Sequence, residues 1–144
     1  MEDISIRLAK EEDLLDVLRL YEQLWDDWKY DLDTVKERFK RDLDTRRKDY
    51  YLAILNEKVI GVCAMTYRED IWDGNVASIE EFVVDKDLRG KGIGKKLLDY
   101  ITTIAKENNC YSIELHSNMK RLDAHRFYEN NGFEKVSFFF EKII

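Results

Sequence analysis

Apolar and polar residues alternate along the chain with two different periods, and the changes of period mark the predicted elements. Ile4 to Leu8 has apolar residues at every second position, which predicts a first strand. From Leu14 to Trp28 apolar residues recur at steps of three and four, which predicts an amphipathic helix. A second, more charged helix is predicted over Leu32 to Leu43. The first part of the chain therefore reads as a strand followed by two helices.

The rest of the chain reads as three strands followed by alternating helices and strands. Strands are predicted over Tyr50–Leu55, Val59–Tyr67, Val76–Val84, Tyr111–Leu115 and Phe133–Phe140. Helices are predicted from Ile93 to about Asn108 and from Leu122 to Asn131, where Gly132 suits a left-handed cap. A helical crossover starting at Ile93 makes its flanking strands parallel. This pattern predicts one mixed α/β domain over residues 1–144.

Composition narrows the class of protein. The chain has 144 residues, of which 44% are hydrophobic and 38% charged, the balance of a single ordered domain. It has no apolar run long enough to cross a bilayer, and the acidic start at Met1-Glu2-Asp3 lacks a secretory pattern, so we expect a cytoplasmic protein with no membrane partner. The net charge of −6 disfavours a nucleic-acid partner. Cys63 and Cys110 lack metal-ligand spacing, so we expect buried thiols and no metal.

A glycine-rich, basic loop lies between the strand ending at Val84 and the helix beginning at Ile93. Gly90, Gly92 and Gly94 fall within five residues. The basic residues around them are Arg89, Lys91, Lys95 and Lys96. Glycines let the backbone curl tightly and present its N–H groups, with the positive end of the helix dipole behind them. The loop therefore predicts a site for a phosphate or pyrophosphate.

Two other phosphate-binding loops do not fit this pattern. The Gly-x-x-x-x-Gly-Lys-Ser/Thr pattern fails because neither serine nor threonine follows a suitably spaced Gly-Lys pair. The dinucleotide Gly-x-Gly-x-x-Gly pattern fails because the residue three positions beyond Gly92 is Lys95. A purely structural turn is the remaining alternative, and the basic residues in a strand–loop–helix context disfavour it.

Two motifs resemble one known family. Arg89-x-x-Gly92-x-Gly94 resembles the Arg/Gln-x-x-Gly-x-Gly/Ala signature of the GNAT superfamily of N-acetyltransferases. Downstream, Ala124-His125-Arg126-Phe127-Tyr128-Glu129-Asn130-Asn131-Gly132-Phe133 looks like the family's Ala-x-x-Phe-Tyr-Glu-x-x-Gly-Phe helix and strand. The resemblance extends over nearly the whole chain. It implies a GNAT-like α/β domain with a central mixed sheet of six to seven strands, about four helices, and acetyl-CoA as co-substrate.

The resemblance gives each motif residue an expected role toward acetyl-CoA. The backbone of Phe82, Val83 and Val84 is expected to pair with the pantetheine arm as another strand would. The expected pyrophosphate cradle consists of Arg89, Gly90, Lys91, Gly92, Ile93, Gly94 and Lys95. Tyr128 matches the tyrosine that commonly faces the coenzyme sulfur as general acid, with core packing beside Phe127 as the alternative. Ala124 and Phe127 belong to the same motif. Many members have Asn three residues before this alanine, whereas this chain has Arg121, which could reach the coenzyme or a substrate anion.

Amide formation also requires a base, because alkyl amines are mostly protonated at neutral pH. Glu80 and Glu81 lie on the strand that enters the loop, and strand alternation predicts that only one of them faces the cleft. Glu80 is favoured because it lies nine residues before Arg89, at an acidic position that some related amine acetyltransferases use as a base. The alternative for both residues is a charge on the sheet surface. A backbone N–H near Val83 could donate to the tetrahedral oxyanion.

Aromatic residues beside carboxylates favour a cationic amine as the acceptor. Trp25-Asp26-Asp27-Trp28 with Tyr30, and separately Trp72-Asp73, could contact such an amine through ring faces and charge. Packing explains Trp25 and Trp28 equally well, since both continue the apolar stripe of the first helix. One outward phenylalanine of Phe138–Phe140 could line a homodimer contact.

These observations predict transfer of an acetyl group from acetyl-CoA to a primary amine by direct attack in a ternary complex. Neither cysteine is placed for a covalent intermediate. The expected acceptor is a small molecule resembling a polyamine, an aminoglycoside or an aminophosphonate. Two alternatives are a protein N-acetyltransferase and a non-catalytic domain that binds or senses acyl-CoA.

Overall fold

The computed structural model describes residues 3–144, so Met1 and Glu2, part of the acidic start, lie outside the described residues. The described residues form five strands: β1 Ser5–Leu8, β2 Asp49–Leu55, β3 Lys58–Asp70, β4 Gly74–Val84 and β5 Cys110–Leu115. They also form four α-helices: α1 Leu14–Tyr21, α2 Leu32–Thr45, α3 Ile93–Glu107 and α4 Leu122–Asn130. Two short 3-10 turns lie at Glu11–Asp13 and Lys86–Leu88.

The strands form one sheet in the order β1-β2-β3-β4-β5, with antiparallel pairing from β1 through β4. At the β2–β3 turn Leu55 pairs with Lys58, and Asn56 and Glu57 have φ of 50° and 65°. Two consecutive left-handed residues match the right-handed twist of a hairpin, which explains the tight turn. Helix α3 connects β4 to its neighbour β5, and a helical crossover between neighbouring strands makes them parallel.

A β-bulge interrupts the pairing of β3 with β4. Ala64 pairs with Glu81, whereas the next residue of β3, Met65, pairs with Ile79. Glu80 is therefore an extra residue in β4, and a bulge of this kind locally breaks the alternation of side chains between the two faces of a sheet.

Two apolar clusters pack the sheet. The larger one joins α1 and α2 to one face and contains Leu14, Val17, Leu18, Leu20, Tyr21, Phe39, Tyr50, Leu52, Val59, Val62, Ala64 and Val83. A second cluster contains Ile4, Ala53, Ile60 and Ile93. Leu52 and Ala53 are successive residues of β2, so the two clusters lie on opposite faces. The start of α3 thus packs on the face that α1 and α2 leave open.

The first helix is shorter than its apolar stripe predicted. Helix α1 ends at Tyr21 rather than near Trp28. Glu22, Asp26 and Asp27 follow at the end of the helix, where the macrodipole is negative and further carboxylates are unfavourable. The tryptophans still pack as the stripe implied, because the rings of Tyr21 and Trp25 lie 5.6 Å apart.

The prediction of a strand over Phe133–Phe140 is wrong. The described residues from 133 to 144 form no strand, and Phe138 and Phe140 are exposed at 86% and 89%. An apolar run can indicate a strand, but its backbone must also find a pairing partner, which the run itself does not specify. The sheet consequently has five strands in the described residues, not six to seven.

The chain divides into two compact units, with the boundary between Glu114 and Leu115. The first unit holds β1 to β4, α1 to α3 and most of β5, and the second holds α4 with the residues that follow it. Within residues 3–144 we find no helix with the length and apolar character needed to span a membrane.

Candidate active site

The loop that follows β4 is fixed at its start by Asp85. The backbone N–H of Asp85 donates to the carbonyl of Ile60 at 2.8 Å. Its buried carboxylate accepts from Nη1 of Arg19 at 3.0 Å and from the N–H of Asp87 at 3.2 Å. Burial opposes ionisation of Asp85, but the N–H of Asp87 and the Arg19 guanidinium outweigh it, so the pKa is lowered. The loop therefore leaves the sheet from a fixed point.

Gly90 and Gly92 give the loop its curvature. Their φ angles are 78° and 80°, in the left-handed region that other residues avoid. A β-carbon added to either would meet no described atom within 4 Å, so the space outside the curve is open. Gly92 caps α3, whose first helical bond runs from the N–H of Lys96 to the Gly92 carbonyl. The backbone N–H groups of Ile93, Gly94 and Lys95 precede this bond, so they have no acceptor within the helix and point beyond its amino end.

The basic side chains of the loop lie at its surface. Nε of Arg89 donates to the carbonyl of Val84 at 3.2 Å, which holds the guanidinium beside the end of β4. Lys95 contacts Asp99 one turn further along α3 at 2.6 Å. Lys91 is exposed. Open N–H groups, a helix amino end and exposed cations together form a cradle suited to a pyrophosphate.

Glu80 and Glu81 lie on the same side of the sheet. Oγ1 of Thr66 donates to Glu80 at 2.6 Å, and Lys48 donates to Glu81. Thr66 is two residues from Ala64, the partner of Glu81, so it lies on the same face as Glu81. The prediction that only one carboxylate faces this side assumed strict alternation, and the bulge at Glu80 removes that assumption.

Glu81 lies in a largely buried polar cluster. Nζ of Lys48 contacts Oε1 and Oε2 of Glu81 at 2.6 and 2.9 Å. The same Nζ lies 5.3 Å from the ring centroid of Tyr50. The side chains of Lys48 and Glu81 are only 19% and 13% exposed. The Tyr50 hydroxyl donates to Asp42 at 2.8 Å, and burial followed by this carboxylate raises its pKa. The cluster thus holds an ammonium between a carboxylate and an aromatic ring.

Tyr21 links this cluster to the aromatic residues after α1. Its hydroxyl is buried and makes no hydrogen bond of standard geometry with the described residues. Burial and then the charge of Glu81 raise its pKa well above the ordinary value. Its ring also lies 6.3 Å from that of Trp28, which lies 4.5 Å from Tyr30. The structure therefore packs one of the two predicted acceptor segments against Tyr21, which borders Glu81.

The other predicted acceptor segment lies elsewhere in the first unit. Trp72 is 77% exposed in the turn between β3 and β4. Asp73 in the same turn accepts a hydrogen bond from the hydroxyl of Tyr111 at 3.0 Å. Trp72 and Asp73 therefore lie at the end of the β3–β4 hairpin. In the described residues neither one contacts the Glu81 cluster.

The second compact unit holds the other motif. Tyr128 of α4 is 7% exposed and packs with the rings of Phe127 and Phe133, at 5.4 and 5.6 Å between centroids. Ala124 is half-buried. Arg121 is exposed at the start of α4. His125 and the backbone N–H of Arg121 contact the carbonyl of Asn118, at 2.9 and 3.0 Å, so His125 serves the local turn.

Neither cysteine has the environment of a nucleophile. Cys63 is fully buried, and burial raises the pKa of its thiol. Burial also raises the pKa of Cys110. The thiolate is the reactive form, so the raised pKa values disfavour both side chains as nucleophiles. No group of three or more His, Cys, Asp or Glu among residues 3–144 is arranged to hold a metal ion.

Comparison with known proteins identifies the family of the chain. A family model described as the Acetyltransferase (GNAT) family matches residues 17–133. The chain belongs to this family. It is similar to the aminoalkylphosphonate N-acetyltransferase of Salmonella typhimurium, with 31% identity over 115 residues that cover 79% of this chain and 75% of the relative. It is also similar to the uncharacterized N-acetyltransferase YhdJ of Bacillus subtilis, with 32% identity over 78% of this chain and 80% of the relative.

Solved structures share this fold. The fold is similar to that of a transcriptional regulator from Bacillus halodurans C-125, with a TM-score of 0.89, 26% identity, and coverage of 99% of this chain and 100% of the other. The GNAT family uses acetyl-CoA as its co-substrate, and the open cradle at the start of α3 fits a pyrophosphate. The protein is therefore an acetyltransferase enzyme of this family.

Three residues around Glu81 in this GNAT acetyltransferase, Lys48, Tyr21 and Tyr50, were not predicted from the sequence as site residues. Lys48 precedes β2 in a charged stretch, and its contact with Glu81 spans 33 residues, so no local pattern pointed to it. Tyr21 and Tyr50 were assigned only to apolar positions. Asp85 did carry a local signal, because an aspartate directly after a strand and before a turn is a common cap.

Proposed function

We propose that this GNAT acetyltransferase moves an acetyl group from acetyl-CoA to the primary amine of a small molecule by direct attack in a ternary complex. The observation that supports this most is that one strand, β4, carries both halves of such a site. Its bulge presents two carboxylates on one face, and its end leads directly into the open glycine cradle.

The cradle would hold the pyrophosphate of the coenzyme. The N–H groups at the start of α3, the helix dipole and the exposed Arg89 and Lys91 all favour a doubly charged group there. The backbone of Phe82 to Val84 would lie along the pantetheine arm, and a backbone N–H of this segment would donate to the oxyanion. Arg121, Ala124 and Phe127 remain proposed contacts of the coenzyme.

Glu80 is the proposed base. It is exposed and its carboxylate accepts from the Thr66 hydroxyl, whereas Glu81 already shares its charge with Lys48. A carboxylate that is accessible and not ion-paired is better able to take the proton of an incoming ammonium. Tyr128 is the proposed acid, since a phenol and a thiol have similar ordinary pKa values and proton donation to the thiolate is then balanced.

The proposed acceptor is a small cationic amine. The Glu80 and Glu81 carboxylates and the aromatic group of Tyr21, Trp25 and Trp28 offer charge and ring faces on one side of the sheet. The Salmonella relative is named for an aminoalkylphosphonate, which is a small molecule that bears an amine. Direct attack is favoured over a covalent intermediate because burial raises the pKa of both thiols and so disfavours the thiolate.

Thermal stability with and without acetyl-CoA tests the first half of the proposal. A ligand at about 100 times its Kd stabilises by about 2.7 kcal/mol, which corresponds to about 5–10 °C in a domain of this size. Amines are then screened by release of free thiol. Binding without thiol release from any amine would favour a domain that only senses acyl-CoA, and no thermal shift would refute the coenzyme assignment.

Glu80→Gln and Glu81→Gln separate the two candidate bases. We expect Glu80→Gln to lower kcat by about 10²-fold or more, the range typical for loss of a general base. We expect Glu81→Gln to act mainly on KM for a small-molecule amine, since its carboxylate would contribute charge while Glu80 accepts the proton of that amine. Both variants should keep the thermal shift with acetyl-CoA, and equal losses of kcat would show that Glu80 is not the sole base.

A further inference from the structure

Lys48 places an amine of the protein itself where an acceptor amine is expected. Its Nζ contacts both carboxylate oxygens of Glu81, at 2.6 and 2.9 Å, and lies 5.3 Å from the ring centroid of Tyr50. A carboxylate and an aromatic face are the two groups that recognise a primary ammonium. Glu81 in turn lies next to Phe82, where the segment proposed to carry the acyl arm begins.

The surroundings of Lys48 separate it from the other lysines that form ion pairs. The side chain of Lys48 is 19% exposed, whereas those of Lys40, Lys95 and Lys135 are 51%, 63% and 72% exposed. Lys40 and Lys95 pair with acids one turn along their own helices. The contact of Lys48 instead joins the residue before β2 to a residue of β4 that lies 33 positions further along the chain. The buried hydroxyl of Tyr21 borders the same carboxylate. This arrangement is that of a binding site for an ammonium and not of a solvated surface pair.

We propose that Lys48 is a self-acetylation site: the enzyme transfers an acetyl group from its co-substrate to Nζ of Lys48 when no other amine occupies the site. The inference rests on the proposed function, because it requires acetyl-CoA to lie along Phe82 to Val84. It goes beyond that function by naming a modified residue within the chain.

The step is an ordinary aminolysis of a thioester. Glu81 takes one proton from the Lys48 ammonium, and the neutral nitrogen attacks the carbonyl carbon of the thioester. The N–C bond forms and the C–S bond breaks. The second proton lost by the nitrogen ends on the departing sulfur, so the products are N-acetyl-lysine and free coenzyme A. Acetylation removes the positive charge of Lys48, and Glu81 thereby loses this ion pair and becomes available to another ammonium.

Mass spectrometry of the full chain after incubation with acetyl-CoA tests the proposal, with each lysine followed over time. Non-enzymatic acetylation modifies exposed lysines first, so it should reach Lys40 and Lys95 before Lys48. We expect the reverse order, with Lys48 modified first at a rate that does not change when the protein is diluted. In Glu81→Gln, which keeps the size of the side chain, labelling of Lys48 should fall at least tenfold while Lys40 and Lys95 label as before.

Binding of acetyl-CoA, measured by thermal shift on the same samples, distinguishes a failure of the coenzyme assignment from a failure of self-acetylation alone. No shift would refute the coenzyme assignment and this inference together. A clear shift with Lys48 unmodified, or modified only after Lys40 and Lys95, would overturn the self-acetylation alone. Unchanged labelling of Lys48 in Glu81→Gln would also overturn it, because the carboxylate that takes the proton would be absent.

Discussion

Gly92 offers a controlled test of the cradle, because the chain contains a matched glycine outside it. Gly92 has φ of 80° at the start of α3, and Gly74 has φ of 86° at the start of β4. A β-carbon at either position would meet no described atom within 4 Å. Gly92→Glu and Gly74→Glu therefore impose the same backbone strain and the same change of charge, and only the first places a carboxylate in the cradle.

The structure fixes the size of both effects. A non-glycine residue in the left-handed region costs about 1–2 kcal/mol, which lowers Tm by about 3–6 °C in a domain of this size. The negative charge at Gly92→Glu lies at a helix amino end and recovers about 0.3–1 kcal/mol, so this variant should be no less stable than Gly74→Glu. The unliganded proteins should thus melt within a few degrees of each other.

Differential scanning fluorimetry with saturating acetyl-CoA then separates the variants. Gly74→Glu should keep the full ligand-induced rise in Tm of the unaltered protein. Gly92→Glu should show no ligand-induced rise in Tm, because its carboxylate would occupy the proposed position of the pyrophosphate and repel the negatively charged phosphates. Retained affinity in Gly92→Glu would show that the loop does not hold the coenzyme. A much lower Tm of Gly92→Glu without ligand would show that Gly92 carries a packing role that its open surroundings do not reveal.

Three further changes test other parts of the chain. Tyr128→Phe should lower kcat, measured by thiol release, while leaving the acetyl-CoA thermal shift unchanged; an unaltered rate removes Tyr128 from the acid role. Asp13→Asn should cost about 1–3 kcal/mol of stability in urea melts at pH 7, because Arg7 donates to the buried Asp13 at 2.7 and 3.0 Å and lowers its pKa. That contribution is present above the ordinary pKa of an aspartate, about 3.9, and is lost as the pH falls through the lowered one, so the two proteins should converge in acid. One exposed phenylalanine, Phe138 or Phe140, is proposed to line a homodimer contact. We therefore expect the chain to sediment as a dimer and the double variant Phe138→Asp, Phe140→Asp to sediment as a monomer.

The sequence predicted the elements whose causes are local. The loop from Arg89 to Lys95 could be recognised because glycine spacing, basic residues and a helix start all lie within a few positions. The strands that became β2 and β3 and the start of α3 were also predicted from local patterns. Helix α1 was predicted too long because the apolar stripe continues past Tyr21 as packing contacts while the backbone leaves the helix. Phe133–Phe140 was predicted as a strand because hydrophobicity indicates burial and says nothing of a pairing partner.

The polar side of the site could not be predicted because it depends on register. A regular strand sends Glu80 and Glu81 to opposite faces, and only the extra residue between the Ala64–Glu81 and Met65–Ile79 pairs places them together. A bulge is defined by the pairing of two strands, so the sequence of either strand alone does not indicate it. Contact between Lys48 and Glu81 has the same origin, since it requires β2, β3 and β4 to be aligned across the sheet.

The geometry of β4 also restricts what the site can bind. Three residues of extended strand separate Glu81 from Val84, which corresponds to about 10 Å at 3.3 Å per residue. A single ligand that reaches both the carboxylates and the glycine cradle needs an arm of at least this length between its phosphates and its reactive group. The pantetheine arm of acetyl-CoA is long enough to supply that separation. Because Phe82 to Val84 pair with β3 on one side, the spacing is held by the sheet, and a ligand of this loop with a shorter arm could not bring its reactive group to the carboxylates.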